Sequence, residues 1–122
     1  MGIQSIVKSK SIMKTYIYRV EVEVIPMEGS QLPEDAAGAF VNCYVGADNI
    51  CEAVQLIEQK LLEDCYKPFN TFAAFSLNLH EVNYDTDEEG CPNNTDLSKL
   101  QNTGDIWYGP FNTYFPEVDD VH

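Results

Sequence analysis

Along residues 15–25, TYIYRVEVEVI, apolar and polar side chains alternate. Tyr16, Tyr18, Val20, Val22 and Val24 fall on one face, and Arg19, Glu21 and Glu23 on the other. A period of two is that of a strand buried on one side. Its wetted second face fits an antiparallel sheet rather than a parallel one. Residues 26–38 bring Pro26, Gly29, Pro33 and Gly38, which is turn chemistry. Alternation resumes over 39–46, with Val41, Cys43 and Val45 facing one way and Phe40, Asn42 and Tyr44 the other.

The period then changes. Ile50, Val54, Ile57, Leu61 and Cys65 recur at helical spacing with Ala53 beside them, and Leu56 and Leu62 widen the stripe. Asn49 is the expected N-cap and Glu52 its capping-box partner, so a helix over 49–65 is predicted, ended by Lys67 and Pro68. Residues 71–83 alternate again, which makes Ala73, Phe75, Leu77 and Leu79 inward candidates. Residues 84–104 are a polar excursion with room for a single helical turn around 96–100. Residues 105–115 form an aromatic strand interrupted by Gly109 and Pro110. A proline there predicts an edge position or a bulge.

The predicted fold class is therefore α+β: a four-stranded, mostly antiparallel sheet in the order β-β-α-β-β, with one main helix packed on one face. The alternative is a ferredoxin-like arrangement, if the excursion holds a longer helix and the first two strands are one kinked or hairpin unit. A length of 122 residues suits one domain with one core.

Charge sharpens this picture. Seven basic residues face 20 acidic ones, net −13. Lys8, Lys10 and Lys14 precede every acidic residue, so residues 1–14 carry +3 and residues 15–122 carry −16. Residues 1–14 are expected to be a disordered basic leader, and 15–122 the single α+β domain. The opening lacks the apolar run of a secretory signal, and no run of about 18 apolar residues marks a membrane span. A bacterial-type cytoplasmic location with reduced thiols is the expectation. The scarcity of Lys and Arg argues against nucleic acid and against anionic lipid.

Of the four cysteines, Cys43, Cys51 and Cys65 sit in apolar patterns that predict core packing, and Cys91 in a polar loop that predicts exposure. Carboxylates around Cys91 disfavour a thiolate nucleophile. His80, beside Asn78 and Glu81, reads as a surface residue. No matched nucleophile and base, P-loop or HExxH is present, so no enzymatic activity, cofactor or catalytic residue is expected.

Two constellations remain. Glu81, Asp85, Asp87, Glu88 and Glu89 place five carboxylates within nine residues. Counted from Asp85 as a calcium loop, oxygen donors fall at positions 1, 3 and 5, Gly90 at 6, Asn93 at 9 and Asp96 at 12. Pro92 at position 8 and Asp rather than Glu at position 12 depart from that pattern. The strand that follows puts five aromatics into the ten positions 106–115. Trp107 and Tyr108 are its candidate anchors, since aromatic residues dominate interface hot spots.

The leading expectation is a non-enzymatic, acidic protein-interaction domain that binds a basic protein through Glu81, Asp85, Asp87, Glu88, Glu89, Trp107 and Tyr108. Its most concrete form, by analogy of charge and size alone, is an immunity-type inhibitor of a basic toxin or nuclease. The alternative is a small-ligand or calcium-binding module built on 85–96. An exposed edge strand would also permit dimerisation.

Overall fold

A computed structural model describes residues 14–84 and 89–116. The element order is β-β-α-β-α-β: β1 Tyr16–Pro26, β2 Gly38–Ala47, α1 Ile50–Glu63, β3 Tyr66–Leu77, α2 Asn94–Thr103 and β4 Ile106–Tyr114. The four strands form one sheet in the spatial order β3-β1-β2-β4, with every neighbouring pair antiparallel. The α+β class and the antiparallel sheet are as expected. Beside the expected main helix, α2 extends over ten residues where the sequence predicts room for a single turn. β1 and β2 join through a loop, so the order also departs from the ferredoxin-like βαββαβ.

The alternation in β1 and β2 builds the main core. Val20, Val22 and Val24 pair across the strands with Cys43, Val41 and Ala39, and all six are buried against Ala53, Ile57 and Leu61 of α1. These three helix residues are four apart and share one stripe. Leu56 and Leu62 each lie about 100° round from a member of that stripe and are exposed, as is Ile50. The buried stripe is thus narrower than the sequence predicts, and Cys51 is exposed rather than packed in the core.

Asn49 caps α1 by accepting the Glu52 backbone N–H at 2.9 Å. Glu52 reaches back not to Asn49 but to the N–H of Asp48, at 2.8 Å. Asp48 in turn accepts both the N–H and the hydroxyl of Thr15 at 3.0 Å. Those two hydrogen bonds hold the Asp48 carboxyl below its usual range. Lys14 is tied in as well: its N–H donates to Gln101 O, and the Gln101 amide returns a bond to Lys14 O at 2.8 Å. The rest of the expected leader lies outside the described residues.

At the other end of α1, Cys65 adopts φ 70°, the left-handed conformation that usually ends a helix on glycine. The turn lets β3 begin at Tyr66, five residues before the expected start. Pro68 then sits inside an edge strand, where a missing N–H costs no ladder bond. Because a β-branchless but non-glycine residue pays for φ > 0, Cys65→Gly should stabilise the fold by about 0.5–1 kcal/mol. That is about 2–4 °C in Tm by thermal melting.

The length of the second helix was hidden by composition, since NTDLSKLQNT offers only Leu97 and Leu100 to a core. A complete capping box starts it: Asn93 accepts from Asp96 N at 2.8 Å, and Asp96 accepts from Asn93 N at 3.2 Å. Leu97 and Leu100 pack on Ile17 and Tyr44. These project from the sheet face opposite α1, so the two helices lie on opposite sides. Gly46 permits the approach, because a Cβ there would meet Gln101 Cα at 2.9 Å.

The expected break at Gly109 and Pro110 is a register shift on the edge strand: Val41 pairs with Phe111 but Cys43 with Tyr108. In β3 the expected inward set is corrected. Phe75 and Ala73 pair with Arg19 and Glu21, so they project away from α1, and Phe75 is 42% exposed.

Candidate functional site

α2 covers only one end of the sheet face opposite α1. Directly paired residues share a face, which fixes what lies beside α2 and beyond it. One row runs Phe75, Arg19, Tyr44, Trp107 across β3, β1, β2 and β4. The next carries Ala73, Glu21 and Asn42, and the next Asn70, Glu23, Phe40 and Asn112.

In the first row the Arg19 guanidinium lies 5.8 Å from the Phe75 ring centroid and 2.9 Å from Glu21 Oε2. Its Nε is buried without a hydrogen-bond partner. A cavity of about 160 Å³ opens beside it, bordered by Arg19, Asn42, Tyr44, Leu77, Tyr84 and Leu97, among others. Burial raises the Tyr44 phenol above its ordinary value, against the opposing pull of Arg19.

Two rows on, a second arrangement of acid and rings appears. Phe40 lies 5.3 Å from Tyr114 and 5.6 Å from Phe72, centroid to centroid. The Tyr114 hydroxyl donates to Glu23 Oε2, a bond that raises the Tyr114 phenol above its ordinary value.

Two backbone devices assemble this group. Tyr114 reaches Glu23 by lying across Gly38; a Cβ at Gly38 would stand 2.6 Å from Tyr114 Cζ and 2.8 Å from Val24 O. Phe72 is the extra residue of a register shift between Glu21 and Val22. Regular alternation would send it to the α1 side, and the shift brings its ring to Phe40 instead. Phe40, Phe72 and Phe75 are 41%, 51% and 42% exposed. The contact cluster of Phe40, Phe72 and Tyr114 on a sheet face is more than the scattered apolar exposure of an ordinary surface. Carboxylate oxygens and ring faces both attract cations, so this arrangement can draw a positively charged group.

The residues expected from the sequence are dispersed. Trp107 lies on this face but is half-buried under the α2 end, and its Nε1 donates to Gly90 O at 2.9 Å. Tyr108 lies on the other side, in the core under α1. There it stands edge-on to Tyr66 and Phe111, and its hydroxyl donates to Asp64 Oδ2 at 2.7 Å. Burial, then that bond, raises its phenol well above the ordinary value. Glu81 and Glu89 are exposed in the connection between β3 and α2. Asp85, Asp87 and Glu88 lie outside the described residues.

Asn93 and Asp96, positions 9 and 12 of the calcium count, serve as the cap of α2. The residues that sequence reasoning passed over are Glu23, Phe40, Phe72 and Tyr114. One signal for them was available: Phe40 alternates with Val41, so a large ring had to face away from the core. Compared with known proteins, the chain matches no family model, no curated protein and no solved structure.

Proposed function

We propose that the protein is a non-enzymatic, acidic interaction domain that binds a basic protein through the uncovered half of its sheet. One observation carries the reading: three phenylalanines are exposed on a single face that also holds Glu21 and Glu23, in a chain of net charge −13. Aromatic anchors supply binding energy once desolvated. The negative field attracts a cationic partner and rejects anionic competitors. The acidic connection between β3 and α2 would extend the field beyond the sheet. An immunity-type inhibitor masking a basic nuclease cleft is the most concrete form of this function, by analogy of charge and size.

Titration with a poly-lysine probe tests the electrostatic half. Raising salt from about 10 mM to about 150 mM shortens the Debye length from about 30 Å to about 8 Å, and the affinity should fall by at least about tenfold. No binding at the lower salt would overturn the reading.

A further inference from the structure

The face already holds one arginine in a particular way: Arg19 lies over Phe75 and pairs with Glu21. Two residues further along β1, on the same face, Glu23 stands beside Phe40, Phe72 and Tyr114. Among the described residues the ion pairs are Lys14–Glu52, Arg19–Glu21 and Lys60–Asp64. Glu23 is matched with a phenol and rings, and with no cation of the described chain. We infer that Glu23, Phe40, Phe72 and Tyr114 form a receptor for an arginine side chain of the basic partner, repeating the seat that Arg19 occupies internally. The inference rests on the reading of this face as a docking surface for a basic protein.

The chemistry is specific. A guanidinium is planar, so it stacks on a ring while its edge donates to a carboxylate. Tyr114 occupies one acceptor position on Glu23 and leaves the carboxylate further acceptor capacity. Phe40 and Phe72, tilted at 35° to each other, offer partly exposed ring faces within the same group. A lysine ammonium gains the charge but not the stacking, and its stronger hydration makes it the poorer guest.

The test uses capped dodecapeptides of alternating Arg and Ser, or Lys and Ser, titrated into the full chain at about 50 mM salt and followed by backbone amide shifts. Phe72 is half-exposed, so Phe72→Ala leaves the fold intact, and Glu23→Gln keeps an acceptor for Tyr114. Glu63→Gln, on exposed α1 across the sheet, is the control for net charge. The arginine peptide should shift Glu23, Phe40 and Phe72 and bind more tightly than the lysine peptide. Phe72→Ala and Glu23→Gln should each weaken it about tenfold, the scale of a lost cation–π or charged contact, and Glu63→Gln less than about twofold. Arginine binding that all three variants leave equal would overturn the receptor while sparing the wider reading. Equal affinity for the two peptides would overturn the choice of guanidinium. No binding by either peptide would remove both readings. Self-association abolished by Phe72→Ala, with no peptide shift on this face, would assign the patch to a second copy instead.

Discussion

Replacing Tyr108 with alanine is expected to cost about 3 kcal/mol of folding stability, whereas Phe72→Ala should cost under about 1 kcal/mol. Both are aromatic residues on the outer strands, and the difference is the side of the sheet on which each ring stands. Tyr108 packs with Tyr66 and Phe111 on the α1 side. Its loss leaves a hole beside the stacked Tyr66–Phe111 pair, whose centroids are 4.8 Å apart. It also removes one of the two donors to Asp64, which accepts from the Tyr108 hydroxyl and from Lys60 at the end of α1. Tyr108→Phe isolates that second contribution and should cost about 1.5 kcal/mol, the lower end of the range for a hydrogen bond to a charged acceptor. Urea unfolding of the three variants measures all of this. A Phe72→Ala variant less stable than Tyr108→Ala would mean that the two faces have been assigned the wrong way round.

That contrast marks where sequence reasoning reached its limit. Alternation in 15–25 and 39–46 identified both central strands and the sides of their residues, because a regular strand has one period and one phase. The Gly109–Pro110 break was equally legible, since a proline cannot serve a central ladder. In β3 the expected inward set fails in side rather than in phase: Ala73, Phe75 and Leu77 alternate regularly opposite Glu21, Arg19 and Ile17, on the face away from α1. Register shifts after Glu21 and after Glu23 insert extra residues, and each insertion inverts the side of everything beyond it. The aromatic strand suffers the same inversion at Pro110, so Trp107 and Phe111 stand on opposite faces, as do Tyr108 and Asn112. Periodicity names the alternation, but pairing decides which side meets a helix. The extent of α2 beyond the expected turn was illegible for another reason: its two buried leucines form too thin a stripe, and its capping box occupies the very positions a calcium loop would use. The receptor at Glu23 was illegible because it joins residues 23, 40, 72 and 114, which only the sheet order β3-β1-β2-β4 brings together.

The largest dependence on solution conditions should appear in alkali, and Cys43 is its main source. An ordinary thiol ionises near 9.0, and complete burial among the valines of β1 and β2 pushes this one up to about 12. The folded state therefore keeps a proton that the unfolded state releases. Stability from this group is intact below pH 9 and is lost as pH climbs toward about 12, at about 1.4 kcal/mol per pH unit. By pH 10.5 the loss is about 2 kcal/mol, a large share of the 5–15 kcal/mol that holds a typical domain. Tyr44 and Tyr108, both raised first by burial, act in the same direction and steepen the fall. Cys43→Ala removes the thiol and should cost about 1 kcal/mol at pH 7 as a small cavity. It should then lose about 2 kcal/mol less than the parent between pH 7 and pH 10.5. Paired urea melts at the two pH values give the difference directly. Equal alkaline losses in the two proteins would show that the buried thiol is not what the folded state is protecting.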